Sequence, residues 1–378
     1  MIFDFCIGNP PYQGDNHQQL YPDFYLGAQD IANNVELIFP TGWQEPKNAL
    51  NLQKLNKKEV KEDKQIVLID VVHNVFNNVD GAFETNIIIW KKGYDNGYNG
   101  KQLLYTDGKN PVYKKLIYKK EDIIETLPPI LCEIEKRFTK DEKNNLTSIM
   151  CSGRSVLKFN DTFLKDYPES KVRRLKAIQE KQPNTTSLGP SEEYELKTST
   201  FDVLDYVFLK DNPNDNKMYY KLYGSANNKR TVRWIEKKYM EPRNRNRNNI
   251  NYYKVLIAKA ASAGDFGAKL SDTIIALPNE SCTSSFYGIG FFKTMIEAEN
   301  CNRYIKTKFF RTLLGLLKTT RDNPASVFAY IPIQDFTNNS DIDWSKSIHE
   351  IDEQLYKKYK LSKKEIDFIE THVKEMSM

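Results

Sequence analysis

Apolar residues are grouped in short blocks at the start of the chain and recur at helical spacing near its end, with a long polar stretch between. Phe3–Gly8 is an apolar run broken by Asn9-Pro10-Pro11. Because proline cannot continue a ladder, the run predicts a buried strand that stops at a rigid turn. Tyr21, Phe24, Tyr25, Ala28 and Ile31 fall at helical spacing, which predicts a helix over Tyr21–Asn34. Val35–Pro40 reads as a second strand ending in Pro40-Thr41-Gly42-Trp43, and Lys47–Lys64 as a lysine-rich, helix-compatible segment. Ile66–Val72 and Thr85–Lys91 are two further apolar strands, separated by residues 77–81, which suit a hairpin turn or a short loop. This order describes half of an open, mostly parallel α/β sheet.

The texture changes after Gly93. Asp95–Gly108 is rich in Gly, Asn and Asp and reads as a boundary loop. Residues 106–345 are polar and irregular, with no repeat of fixed period, and their asparagine-rich stretches read as compositional bias. Ile348, Ile351, Leu355, Leu361, Ile366 and Ile369 then give a short helical tail. The expected organisation is therefore a first domain at 1–105, a second at 106–345 and a tail at 346–378.

The 378 residues are enough for two or three domains. Lys and Arg number 55 against 50 Asp and Glu, so the formal charge of +5 does not identify a nucleic-acid binder unless the positive residues cluster. Cys6, Cys132, Cys151, Cys282 and Cys301 form no Cys-x-x-Cys pair, which argues against a disulfide framework or a thiolate zinc site. His17, His73, His349 and His372 are likewise scattered, and no metal is expected. The longest apolar runs fall far short of the about 20 residues needed to span a bilayer, and no secretory signal is visible. A cytoplasmic protein without membrane contact is the expectation.

One tetrapeptide stands above this background: Asn9-Pro10-Pro11-Tyr12, directly after the first strand. It resembles the catalytic motif of amino-directed DNA methyltransferases, in particular the adenine-specific modification enzymes of restriction–modification systems. The resemblance extends to residues 21–25 as the family's next helix, 35–43 as its following strand and turn, and 74–93 as the strand pair closing the catalytic sheet. Residues 304–311 (Tyr-Ile-Lys-Thr-Lys-Phe-Phe-Arg) and 331–336 (Ile-Pro-Ile-Gln-Asp-Phe) look like the end of the family's target-recognition region. Both ends of the chain are covered, and residues 110–250 match no motif. The resemblance implies a partial Rossmann-like methyltransferase sheet, an α+β target-recognition domain and the short tail.

The chemistry explains the residue types. An exocyclic amine conjugated to a base is a poor nucleophile, so its lone pair must be drawn out of conjugation and aligned with a methyl donor. The Asn9 side-chain carbonyl and the Pro10 main-chain carbonyl suit the two N–H bonds, and the Pro10-Pro11 pair preorganises those acceptors. Tyr12 would stack on a base rotated out of the duplex. By the resemblance a second aromatic faces the base from the strand-pair segment, Phe76 or else Phe83; aromatics beside apolar strands are otherwise core. Adenine N6 is the expected target, with cytosine N4 the alternative.

The resemblance also implies S-adenosylmethionine, held by an Asp-x-Phe-x-Gly-x-Gly-type loop after the family's first strand. No such loop precedes Phe3. The expectation is that the cofactor half lies in another chain, has been lost, or comes later through permutation, where Gly288-Ile289-Gly290 with Glu297 and Glu299 is the candidate. An ordinary loop-to-helix junction is the competing reading of that segment. A sheet starting at the catalytic strand would leave an apolar edge, a liability unless covered. A cofactor-binding partner chain or a restriction subunit is the expected companion.

For DNA, Lys229, Arg230, Arg233, Arg243, Arg245 and Arg247 form the densest basic stretch, interleaved with Asn, Trp and Tyr, as phosphate contacts and base reading require. A solvated surface loop is the alternative. Residues 171–176 form a weaker basic patch. By the resemblance, Lys306, Lys308 and Arg311 contact the backbone near the target. Glu195-Leu196-Lys197 fits half of a Mg²⁺ nuclease pattern, without a matching upstream acid. A non-catalytic recognition subunit of a restriction–modification complex is the rival to the methyltransferase.

Overall fold

The computed structural model describes residues 2–12, 14, 19–40, 43, 65–72, 85–95, 102–106, 111–115, 129–135, 137–138, 144–243, 248–260, 266–316 and 323–376. In the first region β1 (Phe3–Gly8) leads to α1 (Tyr21–Ile31), β2 (Ala32–Pro40), β3 (Ile66–Val72), β4 (Thr85–Lys91), β5 (Gln102–Thr106) and β6 (Pro111–Lys115). These strands form one sheet in the order β1-β2-β4-β3-β5-β6. β1 runs parallel to β2 and β3 to β5, while β4 is antiparallel to both of its neighbours and β6 to β5.

Two expectations are corrected here. The sheet is mixed rather than mostly parallel. The Gly- and Asn-rich stretch read as a boundary loop carries β5, so strand pairing continues to Lys115. The reason is that β5 finds a ready ladder on the free side of β3, and pairing overrides a weak local propensity.

α1 starts with Pro22 in its first turn and buries Tyr21, Tyr25 and Ala28 at helical spacing. It stops at Ile31, short of the expected Asn34, because Ala32 is already extended (φ −134°, ψ 155°) and begins β2. β2 alternates Val35, Leu37 and Phe39 into the core beneath α1, where Tyr21 stacks on Phe39 at 5.0 Å between ring centroids. Ile88 and Trp90 of β4 lie on that face by register with Leu37 and Val35. The other face of β1 is different: Phe3 is 51% exposed, Phe5 66% and Ile7 68%.

The region read as irregular holds most of the remaining structure. α2 (Pro129–Glu135), β7 (Met150–Ser152), β8 (Leu157–Phe159), α3 (Asp161–Asp166), α4 (Glu169–Gln179) and α5 (Thr200–Val203) precede the hairpin β9 (Tyr219–Ala226) and β10 (Lys229–Glu236). The hairpin turns at Asn227 and Asn228, both at positive φ (50° and 59°), the conformation a two-residue turn between twisted strands demands. β11 (Met240–Pro242) pairs with β8; β12 (Tyr253–Ala258), β13 (Ile274–Ala276) and β15 (Phe286–Phe292) join β7 in the order β13-β12-β15-β7; β14 (Glu280–Cys282) lies parallel to β9. One aromatic core gathers Phe159, Phe163, Phe201 and Tyr239.

The largest core packs β12 and β15 against α6 (Met295–Lys306), α7 (Lys308–Gly315), α8 (Ile348–Lys358) and α9 (Lys363–His372). The tail read from the sequence is part of this core. Ile351, Leu355 and Ile369 are fully buried, and Asp352 accepts the Lys308 and Phe309 main-chain N–H groups at 2.9 and 2.8 Å. Among the described residues no helix is long and apolar enough to cross a membrane.

Candidate active site

Parallel β1 and β2 bring their C-terminal ends to one edge of the first sheet. Register pairs Gly8 with Leu37, so Asn9 emerges beside the end of β2, while Pro40 pairs with Thr85 and Thr85 with Val72. The Asn9–Tyr12 turn and Trp43 therefore lie at the edge where β3 ends at Val72 and β4 starts at Thr85. Phe76 and Phe83 lie outside the described residues.

Within the turn, Pro10 is buried while Asn9 and Pro11 are exposed and Tyr12 is half-buried. Buried Pro10 anchors the backbone next to the exposed Asn9. The Tyr12 carbonyl accepts the Leu20 N–H at 3.1 Å, tying the turn to the start of α1. Burial pushes the Tyr12 phenol above its ordinary range, and the neighbouring Asn9 side chain pulls it partly back. The ring is thus held neutral with one side on the core.

Behind the turn, fully buried Trp43 donates its Nε1–H to Asn86 Oδ1 at 2.7 Å. This bond clamps the end of β2 to the start of β4. Sequence reasoning missed it, although a signal existed: Asn86 sits on the buried side of an otherwise apolar strand, opposite Phe39. Asp70, in the middle of β3, has its carboxyl raised by burial.

The basic residues scatter into different roles. Lys229 and Arg230 are exposed at the start of β10, Arg230 donating to the Asp272 carbonyl at 2.6 Å. Arg233 is half-buried and bonds the Val232 carbonyl at 2.9 Å. Arg243 is turned inward beside Glu195 at 3.9 Å, and Arg245 and Arg247 lie outside the described residues. Lys306 is half-buried on α6.

Arg311 and Lys308, expected at the DNA backbone, are both engaged within the fold. Arg311 is 2% exposed and bonds the Thr307 and Gly267 carbonyls, both at 3.3 Å, while Lys308 pairs with Glu370 at 2.5 Å. Both positive charges serve the helical core, because α7 is wrapped by α8 and α9. The two segments resembling the end of a recognition region meet there: Tyr304 donates to the Pro332 carbonyl at 2.9 Å.

The Gly288-Ile289-Gly290 segment is a buried strand, β15, and neither a cofactor loop nor a loop-to-helix junction. Gly290 (φ 103°) leaves no cradle, since a Cβ there would lie 2.0 Å from the Phe292 ring. Glu297 closes the start of α6 by accepting the Lys293 N–H at 2.9 Å. These residues do not fit S-adenosylmethionine. Glu195 faces Arg243 and Lys197 pairs with Glu192, and among the described residues no group of His, Cys, Asp and Glu is placed to hold a metal.

No protein-family model matches the sequence, and no curated protein matches it. Among solved structures the chain is similar to the type IIG restriction endonuclease BpuSI, at 11% identity over 92% of this chain and 45% of that one, with a TM-score of 0.34. It is similar also to the type IIL restriction–modification enzyme MmeI in complex with DNA, at 11% identity over 98% of this chain and 56% of that one, with a TM-score of 0.41. The chain spans about half the length of these structures.

Proposed function

We propose that this chain carries the amine-orienting part of a DNA adenine-N6 methyltransferase within a restriction–modification system. The observation that carries the reading is the Asn9-Pro10-Pro11-Tyr12 turn at the C-terminal edge of β1, in a sheet whose β1-β2-β4-β3 order has one antiparallel strand inserted. That order resembles the catalytic side of a Rossmann-like methyltransferase sheet.

In this reading the Asn9 carboxamide oxygen and the Pro10 main-chain oxygen accept the two N–H bonds of the target amine. Both acceptors are preset by the buried Pro10, so little reorganisation accompanies the rise in nucleophilicity at nitrogen. Tyr12 offers its free ring face to the flipped base. Trp43, through Asn86, keeps the neighbouring strand end in place and acts as a positioning residue. S-adenosylmethionine supplies an electrophilic methyl group when bound, and residues other than those described hold it. The open apolar side of β1 is the seat for a donor-binding half, because Phe3, Phe5 and Ile7 are half to two-thirds exposed among the described residues.

Transfer of labelled methyl groups to adenine in duplex DNA, with the donor-binding partner supplied, tests the reading. Loss of transfer in Asn9→Ala with duplex binding intact supports it. Sequence-specific binding without transfer by the unaltered protein would assign a recognition subunit instead. Micromolar binding of S-adenosylmethionine by this chain alone, measured by calorimetry, would overturn the division of labour.

A further inference from the structure

Between the β9–β10 hairpin and the β12–β15 pair lies a cavity of about 600 Å³ lined by Arg230, Lys259, Ser284, Phe286, Tyr287 and Asn323 among others. Two cations line it, each laid over an aromatic ring. The Arg230 guanidinium carbon is 5.7 Å from the Phe286 ring centre, and Lys259 Nζ is 4.6 Å from that of Tyr287. Each is steered by one neutral partner: Arg230 by the Asp272 carbonyl, and Lys259 by the Ser152 hydroxyl at 3.2 Å.

The backbone around Lys259 is fixed from both sides. Its N–H bonds the Ser285 carbonyl at 2.9 Å, and its carbonyl takes the Asn323 N–H at 2.6 Å. Among the described residues neither cation is paired with a carboxylate, and the cavity lining contains none. Burial, and then the nearby charge of Arg154, lower the Lys259 ammonium from its ordinary range, partly offset by the Cys282 thiol. Two preset positive groups without a counter-charge form an anion site, and the arginine fork matches a phosphate.

A further feature separates a nucleotide from a bare anion. Asn323 lines the cavity, is 1% exposed, and its amide oxygen has no hydrogen-bond partner among the described residues. Such an acceptor is complementary to a base amine, which simple anions lack.

We propose that this cavity binds a nucleotide, with its phosphate between Arg230 and Lys259 and its base edge toward Asn323, and that the nucleotide belongs to the bound DNA strand. The assignment rests on the DNA-directed reading above. The sequence pointed to Arg230 as one member of a linear basic stretch. Lys259, distant in the chain, completes the site only through the pairing of β12 with β15.

Fluorescence anisotropy of a labelled duplex, across a salt series, tests this on the full chain with Arg230→Gln, Lys259→Gln and the pair together. The double variant should weaken duplexes of unrelated sequence alike, and the slope of log affinity against log salt should fall by about 1 to 2. Lys259→Arg, which keeps the charge, should retain the slope and controls for misfolding. Calorimetry with inorganic phosphate and with deoxyadenosine monophosphate separates the sources. Mononucleotide binding that the double variant loses, with an unchanged duplex slope, would overturn the DNA assignment in favour of a free nucleotide. An unchanged slope with no binding of either small ligand would overturn the site altogether. A reduced slope in a protein that never transfers methyl groups would sustain the site while removing the methyltransferase reading.

Discussion

β1 and β12 are both short apolar strands, and they end up in opposite circumstances. β12 has β13 on one side and β15 on the other, and its two faces enter different cores: Val255 and Ile257 the helical one, Leu256 the one shared with Ala276 and Phe286. β1 has β2 on one side and α1 over one face, and Phe5 and Ile7 are left about two-thirds exposed. Apolar pattern alone does not distinguish them. The difference lies in position: β1 is the edge strand of its sheet and keeps an exposed apolar face, whereas β12 lies between two strands and is buried on both faces. Exposed large apolar residues in a contiguous row mark an interaction surface.

The largest expected effects test that contrast directly. Phe309→Ala, in a ring stacked on Tyr359 at 4.9 Å and wholly buried, should lower unfolding free energy by about 3–5 kcal/mol. Phe5→Ala should cost less than about 0.5 kcal/mol in the chain alone. Urea denaturation of both variants checks the pair. A loss above about 2 kcal/mol for Phe5→Ala would break the comparison, because it would mean that β1 is covered within the folded chain.

Asn9→Ala is the functional counterpart. Removing one preset acceptor should lower methyl transfer about 10²–10³-fold. Stability should stay within about 0.5 kcal/mol, since Asn9 is exposed at the strand end. Steady-state transfer and thermal unfolding, measured on the same preparation, check both halves. A fall in transfer matched by a fall in stability would move Asn9 from chemistry to turn formation.

Much of the first region was legible in the sequence. Phe3–Gly8, Ile66–Val72 and Thr85–Lys91 are strands with those same bounds, because each is a dense apolar block with a breaker at its end. The middle was opaque for physical reasons. β7, β8, β11, β13 and β14 are three residues long, too short to show a period, and are fixed by partners far away in the chain. The β9–β10 hairpin has a local signal inside an asparagine-rich stretch: Asn227-Asn228 supplies the residue type that tolerates the positive φ its turn requires. Lys254 illustrates the opposite case. It looks like a surface residue in Tyr-Tyr-Lys-Val-Leu-Ile, but its ammonium is buried and donates to the carbonyls of Asn249, Ile250, Tyr252 and Leu277. The candidate site divided in the same way: the local turn was readable, while the burial of Arg311 and the Arg230–Lys259 cavity depend on tertiary contacts.

A pH dependence sharpens the contrast from the closed side. Burial pushes the Asp352 carboxyl up to about 7, with the Phe309 and Lys308 N–H groups pulling it partly back. Between about pH 4 and that value the unfolded chain has released a proton that the folded chain retains. Stability should therefore decline as pH rises through this window, by at most about 1.4 kcal/mol per pH unit from this group, and level off above it. Asp352→Asn should flatten the slope in denaturation series between pH 5 and pH 8. A slope unchanged in the variant would place its origin elsewhere.

The smallest expected effect concerns how the two regions start their helices. α8 begins with a reciprocal cap: the Ser347 hydroxyl accepts the Glu350 N–H at 3.3 Å, and Glu350 accepts the Ser347 N–H at 3.0 Å. α1 begins at Leu20 with no side-chain cap and relies on Pro22 and on the Leu20 N–H bonded to Tyr12. Ser347→Ala should cost about 1 kcal/mol. A local cap does not act alone in α8, because Asp352, one turn further on, bonds the start of α7. The loss should therefore appear in the global unfolding of the helical core rather than as fraying of one helix, with amide exchange slowing less at α7 and α8 together. Fraying confined to residues 348–351 would instead show that α8 is held to the core less tightly than its buried Ile351 and Leu355 imply.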